Sequence, residues 1–316
     1  MALFTGIRIA GTGSFVPEKV VSSASLAKQV GSDVDWIHTN LGIVDRHIAR
    51  DDEFSSDLGA AAARNAITMA GLDPNDIDLI IVATATPDRR APSTACIIQQ
   101  KLGITNRCAC FDMNAVCSGF LYAMTLGFQL IESSAYHNVL IIGADTFSKI
   151  TDWNRRDCVF FGDGAGAVVL RSSTSSDTFF SSQLYADGSG KDCFTVYPGD
   201  ATFTMNAKAV YETGTVALTQ AIRDILAANN LSTHDVDAVI PHQPSIRVLK
   251  KTSELLGIPL SKFKMNMDKH ANTASATVPL LLDQVNRRGE LRVGDTVMFA
   301  AVGSGWTWGA AVYKWV

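Results

Sequence analysis

Gly71-Leu72-Asp73-Pro74-Asn75-Asp76-Ile77-Asp78-Leu79-Ile80-Ile81-Val82 is echoed half a chain later by Asn230-Leu231-Ser232-Thr233-His234-Asp235-Val236-Asp237-Ala238-Val239-Ile240. Each copy follows a stretch rich in alanine and aliphatic residues, 58–70 and 216–228, and each ends in a short apolar run. The first pattern predicts a helix and the second a buried strand. The echo continues in the same order: Leu102-Gly103-Ile104 with Leu256-Gly257-Ile258, residues 138–143 with 295–300, and residues 161–169 with 305–312. Four matches in one order mark an internal duplication. Helices alternating with aliphatic strands predict a mixed or parallel sheet covered by helices. The chain therefore reads as a layered α/β protein of two similar halves, in which equivalent places in both halves can supply functional groups.

The rest of the composition narrows the function classes. The 316 residues are 47% apolar and 18% charged, which suits a large buried core. Net charge is −4 and basic residues occur in runs no longer than two, so the concentrated positive field that nucleic acid requires is absent. The apolar runs break well before the ~18 residues of a membrane helix. The opening MALFTGIRIAGTGSF lacks the basic-then-apolar order of a signal peptide. The expectation is a soluble, cytoplasmic protein with no membrane insertion and no nucleic-acid partner. Its six cysteines, Cys96, Cys108, Cys110, Cys117, Cys158 and Cys193, contain no C-x-x-C pair, so free thiols and no zinc site are expected.

The duplication aligns two unusual segments, residues 112–119 and 267–274. Cys117 opens a run, 120–128, that is apolar almost all round and predicts a buried helix. A thiol at such a helix start gains a lower pKa from the dipole and the unpaired N–H groups, which favours the nucleophilic thiolate. A packed core cysteine is the other reading of the same position. His242 follows the apolar run 239–241, at a strand's C-terminal end, where α/β proteins place their sites. Asn272 precedes a helix start, where an asparagine caps the helix or serves chemistry. His270 reads as local structure. The turn Gly303-Ser304-Gly305-Trp306-Thr307-Trp308-Gly309 has small residues that let backbone N–H groups approach a ligand.

In order and surroundings, Cys117, His242 and Asn272 resemble the Cys-His-Asn triad of the ketoacyl-carrier-protein synthase III family, within the thiolase-like superfamily. The resemblance runs nearly end to end, through Gly11-Thr12-Gly13-Ser14, Trp36-Ile37, Arg46-His47, Phe161-Gly162-Asp163-Gly164-Ala165-Gly166 and the final Gly-Trp-Thr-Trp-Gly. It implies a five-layered αβαβα fold of two halves, 1–172 bearing the nucleophile and 173–316 bearing His242 and Asn272. It also implies a two-stage acyl transfer. An acyl group passes from coenzyme A to Cys117; a malonyl thioester on acyl-carrier protein then decarboxylates and attacks it. The family assigns the oxyanion hole to the backbone of Cys117 and Ser304, and adenine binding to Trp36 and Arg156. Ser245 falls where the pantetheine arm is met and Arg247 where carrier protein docks, with Lys250 and Lys251 close by to replace basic positions this chain lacks. A homodimer is implied, and no metal or redox cofactor. Ala91 stands where acetyl-specific relatives carry a bulky Phe that closes the partner's pocket, which predicts a longer acyl pocket.

Several positions depart from the family pattern. Asn40 replaces a common nucleotide-binding Arg, Pro244-Ser245 replaces Ala-Asn, Gly303-Ser304-Gly305 replaces three glycines, and Val302 replaces a frequent Phe. Glu254 and Leu255 replace basic positions near the carrier contact. These departures leave two expectations: initiation of fatty-acid-type chains, or a specialised paralogue in polyketide, surface-polysaccharide or secondary metabolism. Papain-like proteases share the chain order Cys, His, Asn, but their local cysteine pattern is absent. A non-catalytic binding protein would have no need of all three polar groups.

Overall fold

The computed structural model describes residues 2–173, 177–197 and 199–316. Its strands, numbered in chain order, are β1 (Ala2–Phe4), β2 (Ile7–Phe15), β3 (Lys19–Ser22), β4 (Asp45–Ile48), β5 (Leu79–Ala83), β6 (Ala109–Met113), β7 (Asn138–Asp145) and β8 (Gly164–Ser172). They continue as β9 (Phe180–Ala186), β10 (Phe194–Thr195), β11 (Thr204–Met205), β12 (Ala238–Pro241), β13 (Thr296–Gly303) and β14 (Thr307–Lys314). Two five-stranded sheets form, in the orders β2-β8-β7-β5-β6 and β1-β9-β14-β13-β12. Within the first, β2/β8 and β8/β7 are antiparallel, while β7/β5 and β5/β6 are parallel. The second repeats that polarity through β9/β14, β14/β13 and β12/β13, and a single parallel bridge from Val239 to Phe263 stands where β6 lies in the first. The duplication is thus a duplication of topology. One strand breaks the symmetry: β1 crosses from the N-terminus to pair with β9.

Five layers follow from where the apolar faces meet. Helices Ser55–Met69 and Thr94–Leu102 cover the outer face of the first sheet, through Leu58, Ala62, Ala66 and Ile98. Helices Ala207–Ala228 and Ile246–Leu256 cover the outer face of the second. Between the sheets lie Gly119–Glu132 and Thr277–Arg287, buried on both sides. The middle layer is the largest core, and Phe128 stacks on Phe180 there at 3.8 Å. Truncating such a ring to Ala costs about 3–5 kcal/mol.

Close approach of backbone to backbone sets this layering. A side chain at Gly13 would place its Cβ 2.2 Å from the Ala62 carbonyl, so glycine in β2 lets the Ala-rich helix lie directly on the strand. At Gly143 the same atom would stand 2.3 Å from the Ser275 carbonyl, which is how a turn of the second half presses onto β7. The six cysteines are free, and among the described residues no helix is long and apolar enough to cross a membrane.

Candidate active site

Cys117 lies in a single 3-10 turn, Val116–Ser118, between β6 and the helix Gly119–Glu132. The turn is bent tightly: Val116 has φ +46°, a conformation that costs a β-branched residue on the order of 1–3 kcal/mol, and its N–H donates to Asn114 Oδ1 at 3.1 Å. Ser118 Oγ donates to Thr307 Oγ1 at 2.8 Å, and Thr307 Oγ1 donates in turn to the Ala115 carbonyl at 3.1 Å. These bonds bind the nucleophile turn of one half to the Gly303–Thr307 turn of the other.

His242 leaves the C-terminal end of β12, its backbone N–H donating to the Ala300 carbonyl at 2.8 Å. Gln243 anchors the next residue: its Nε2 donates to the carbonyls of Pro241 and Lys264, at 3.0 and 3.2 Å, and its Oε1 accepts from Asn266. The Asn272 backbone is zipped to residues 160–162, accepting from Gly162 and donating to the Phe160 carbonyl. Its side-chain oxygen accepts the Ala274 N–H at 2.8 Å, and the side chain lines the same cavity as the Cys117 thiol, which it favours in the charged form. Ala271 and Ala274, on either side, both hold positive φ, +56° and +51°.

Cys117, His242 and Asn272 therefore meet on one cavity, each more than nine-tenths buried. Its wall is aromatic and apolar, from Phe147, Phe160, Phe161, Phe194 and Met205, with Tyr211 and Val210 further along. Ser304, Ser245 and Val302 line the same space. The Ser304 hydroxyl donates to the Phe194 carbonyl at 2.6 Å, and Ser245 Oγ caps the helix Ile246–Leu256 by accepting from Val248. The β10–β11 hairpin, which carries Phe194 and Met205, was not anticipated from sequence, because those residues belong to no periodic pattern.

The electrostatics correct one expectation. Burial, with the Asp145 carboxylate as a further cause, pushes the Cys117 thiol well above its ordinary range, although the Asn272 amide and the cysteine's own N–H pull the other way. The predicted lowering by a helix terminus is outweighed because the sulfur sits beneath the surface and in a 3-10 turn rather than at an open helix end. Burial also lowers His242 to about 3, and no partner among the described residues meets its Nδ1, so the ring is neutral at physiological pH.

The remaining predicted residues lie outside the cavity. Trp36 is 45% exposed on the helix Val34–Leu41. Asn40 Nδ2 is turned back onto the Trp36 carbonyl at 2.9 Å. Arg156 is exposed, whereas Arg155 is engaged with Asp157 and the Phe203 carbonyl. Arg247, Lys250 and Lys251 are exposed on the helix Ile246–Leu256, with the Arg247 guanidinium 4.7 Å over the Tyr211 ring and Lys251 paired to Glu254. Ala91 is exposed in the loop before Thr94, away from its own chain's cavity. Among the described residues no group of three or more His, Cys, Asp or Glu could hold a metal ion.

Comparison with known proteins gives a consistent result. Residues 111–188 match the family described as 3-oxoacyl-[acyl-carrier-protein (ACP)] synthase III, and residues 226–315 match its C-terminal region. The beta-ketoacyl-[acyl-carrier-protein] synthase III of Thiobacillus denitrificans is 42% identical over 98% of this chain and 99% of its own. That of Erythrobacter litoralis is 43% identical over 97% and 98%. The crystal structure of 3-oxoacyl-[acyl-carrier-protein] synthase III from Aquifex aeolicus superposes with a TM-score of 0.95 at 35% identity, covering 98% of this chain and 100% of that one.

Proposed function

The chain belongs to the 3-oxoacyl-[acyl-carrier-protein] synthase III family, and on that premise we propose how its own residues carry out the reaction. The enzyme joins an acyl primer to a malonyl group on acyl-carrier protein and so initiates fatty-acid-type chain synthesis. The observation that carries the assignment of roles is the meeting of Cys117 from one half with His242 and Asn272 from the other on a single apolar cavity.

In the first stage the Cys117 sulfur attacks the acyl-CoA carbonyl. Burial keeps the thiol protonated at rest. Charge therefore appears only as the bond forms, and the proton ends on the departing coenzyme A thiol. The backbone N–H groups of Cys117 and Ser304 are the proposed donors to the tetrahedral oxyanion. In the second stage the malonyl carboxylate leaves as carbon dioxide, and its bonding pair remains as an enolate on the thioester. His242, neutral because it is buried, and Asn272 each donate a hydrogen bond to that oxygen. The enolate carbon attacks the acyl-cysteine, the carbon–sulfur bond breaks, and the released Cys117 thiolate takes up a proton from solvent. This scheme calls on no metal or redox cofactor.

Trp36 and Arg156 are proposed to hold the adenine of coenzyme A, and Ser245 to face the pantetheine arm. Arg247, Lys250 and Lys251 make an exposed basic face for carrier protein. A homodimer is the proposed working unit: the edge strand β6 is open on one side, with Phe111 exposed, and an unpaired apolar edge is a surface that proteins cover. The cytoplasm is the compartment that suits six free thiols. Formation of a ketoacyl-carrier-protein product from acyl-CoA and malonyl-carrier protein, lost in Cys117→Ala, tests the assignment; product formed by that variant would refute it.

A further inference from the structure

Asp145 ends β7, an otherwise apolar strand, and is completely buried. Among the described residues no salt bridge reaches it; its hydrogen-bond partners are neutral amides and hydroxyls. Oδ1 accepts from Ala85 N at 2.8 Å, Thr86 N at 3.0 Å, Thr86 Oγ1 at 2.8 Å and Thr84 Oγ1 at 3.1 Å. Oδ2 accepts from Ser275 N at 2.9 Å and stands 2.6 Å from Ser275 Oγ, which is also 2.8 Å from the Ala83 carbonyl. One carboxyl group thus joins the loop leaving β5 in the first half to a turn of the second.

That turn is the one that aims Asn272. Ala274, whose N–H holds the Asn272 side-chain oxygen, is the residue before Ser275, and both Ala271 and Ala274 hold positive φ. Two such non-glycine residues within four positions cost on the order of 1–3 kcal/mol each and persist only where surrounding structure fixes them. The contacts to Asp145 supply that fixing on the C-terminal side of the turn. A carboxyl group taken out of water with no cation beside it is itself costly. An apolar side chain would fill the strand end more cheaply but would take the partner from the Ser275 and Ala85 amides.

We propose that Asp145 is a positioning residue for the condensation step, holding the Ser275 turn so that the Asn272 amide stays on the reacting centre beside Cys117. The inference rests on the role given above to Asn272. Burial raises the Asp145 carboxyl above the usual range, in keeping with a group held by geometry rather than by charge pairing.

A double-mutant cycle tests it, using Asp145→Asn, Asn272→Ala and the pair, with intact-mass acylation by acyl-CoA, condensation rate and thermal unfolding as readouts. The asparagine keeps the shape but presents a donor to one set of donors. Displacing a reacting group by an ångström costs up to about 100-fold. Asp145→Asn is expected to lower condensation kcat by about 10- to 100-fold, with KM for the malonyl thioester and the extent of acylation near wild type. In the Asn272→Ala background the same substitution is expected to cost almost nothing further, because groups acting through one another are not additive. The same fractional loss in both backgrounds, or wild-type condensation in folded Asp145→Asn, would overturn the proposal. Should Asp145→Asn not fold, Ser275→Ala enters the same cycle, with the same two outcomes deciding. If Asn272→Ala alone condenses at the wild-type rate, the role of Asn272 and this inference both fall; if it is impaired but uncoupled from residue 145, only the inference falls.

Discussion

The Asn272 side chain, held by its own oxygen on the Ala274 amide at 2.8 Å, shares one cavity with the thiol of Cys117 from the opposite half of the molecule. The proposed nucleophile and enolate donor are therefore held together by the packing of the two halves and not by a local loop. Removing one donor to developing charge costs on the order of 10²–10³ in rate. Asn272→Ala is expected to lose that much in condensation while still taking up an acyl group from acyl-CoA. Condensation at the wild-type rate, with normal acylation, would show that Asn272 has another role.

Burial raises the Cys117 thiol, so the free enzyme is expected to react slowly with iodoacetamide at pH 7 and progressively faster through pH 9. The rate per pH step reports how much thiolate is present. A plateau already reached below pH 7, measured by intact mass against time, would show that the helix start governs the thiol after all.

His242 has a folded-state value near 3 against an ordinary 6.5, so it is neutral in both stages and the condensation rate is expected to show no acid limb near pH 6.5 from this residue. The sign for stability follows from proton binding. Above about pH 6.5 neither state binds the proton and the contribution is complete; as pH falls toward 3 the unfolded chain takes the proton and stability is lost. Melting temperatures of wild type and His242→Gln between pH 7.5 and 4 check this. The wild type is expected to fall more steeply; parallel curves would contradict a neutral buried ring.

Much of the site was legible before the structure, and the reason is the duplication. Cys117 and Asn272 lie in corresponding segments, and His242 follows a strand recognisable from its first-half counterpart. What was not legible depends on depth and on segments without periodicity. Phe147, Phe160 and Phe194 come from separate short elements and become one wall only in three dimensions. The direction of the Cys117 shift was misjudged because sequence shows a helix start but not how far the sulfur lies below the surface. Asp145 carried a signal that was available: an acid closing the apolar run 139–144, where a solvated loop is the ordinary setting.

Ala91 is exposed in one chain, so the proposed influence on chain length would act through a partner subunit. If the loop reaches the neighbouring subunit's cavity, wild-type enzyme accepts primers several carbons longer than acetyl. Each buried methylene contributes about 0.8 kcal/mol until the pocket ends. Ala91→Phe is expected to move the optimum of kcat/KM toward acetyl in a series from acetyl to dodecanoyl. An acetyl optimum in the wild type, unchanged by the substitution, would separate Ala91 from chain-length selection. Sedimentation showing an active monomer at micromolar concentration would remove the dimer itself.

The central claim is that Cys117 carries the acyl group between two half-reactions, and intact-protein mass spectrometry reads it directly. Incubation with acyl-CoA is expected to add one acyl mass to the wild type and none to Cys117→Ala, with peptide mapping placing the adduct on Cys117. Addition of malonyl-carrier protein should then discharge the adduct with appearance of ketoacyl-carrier protein. An adduct that persists in Cys117→Ala, that maps to Cys96 or Cys158, or that malonyl-carrier protein leaves in place would contradict the account.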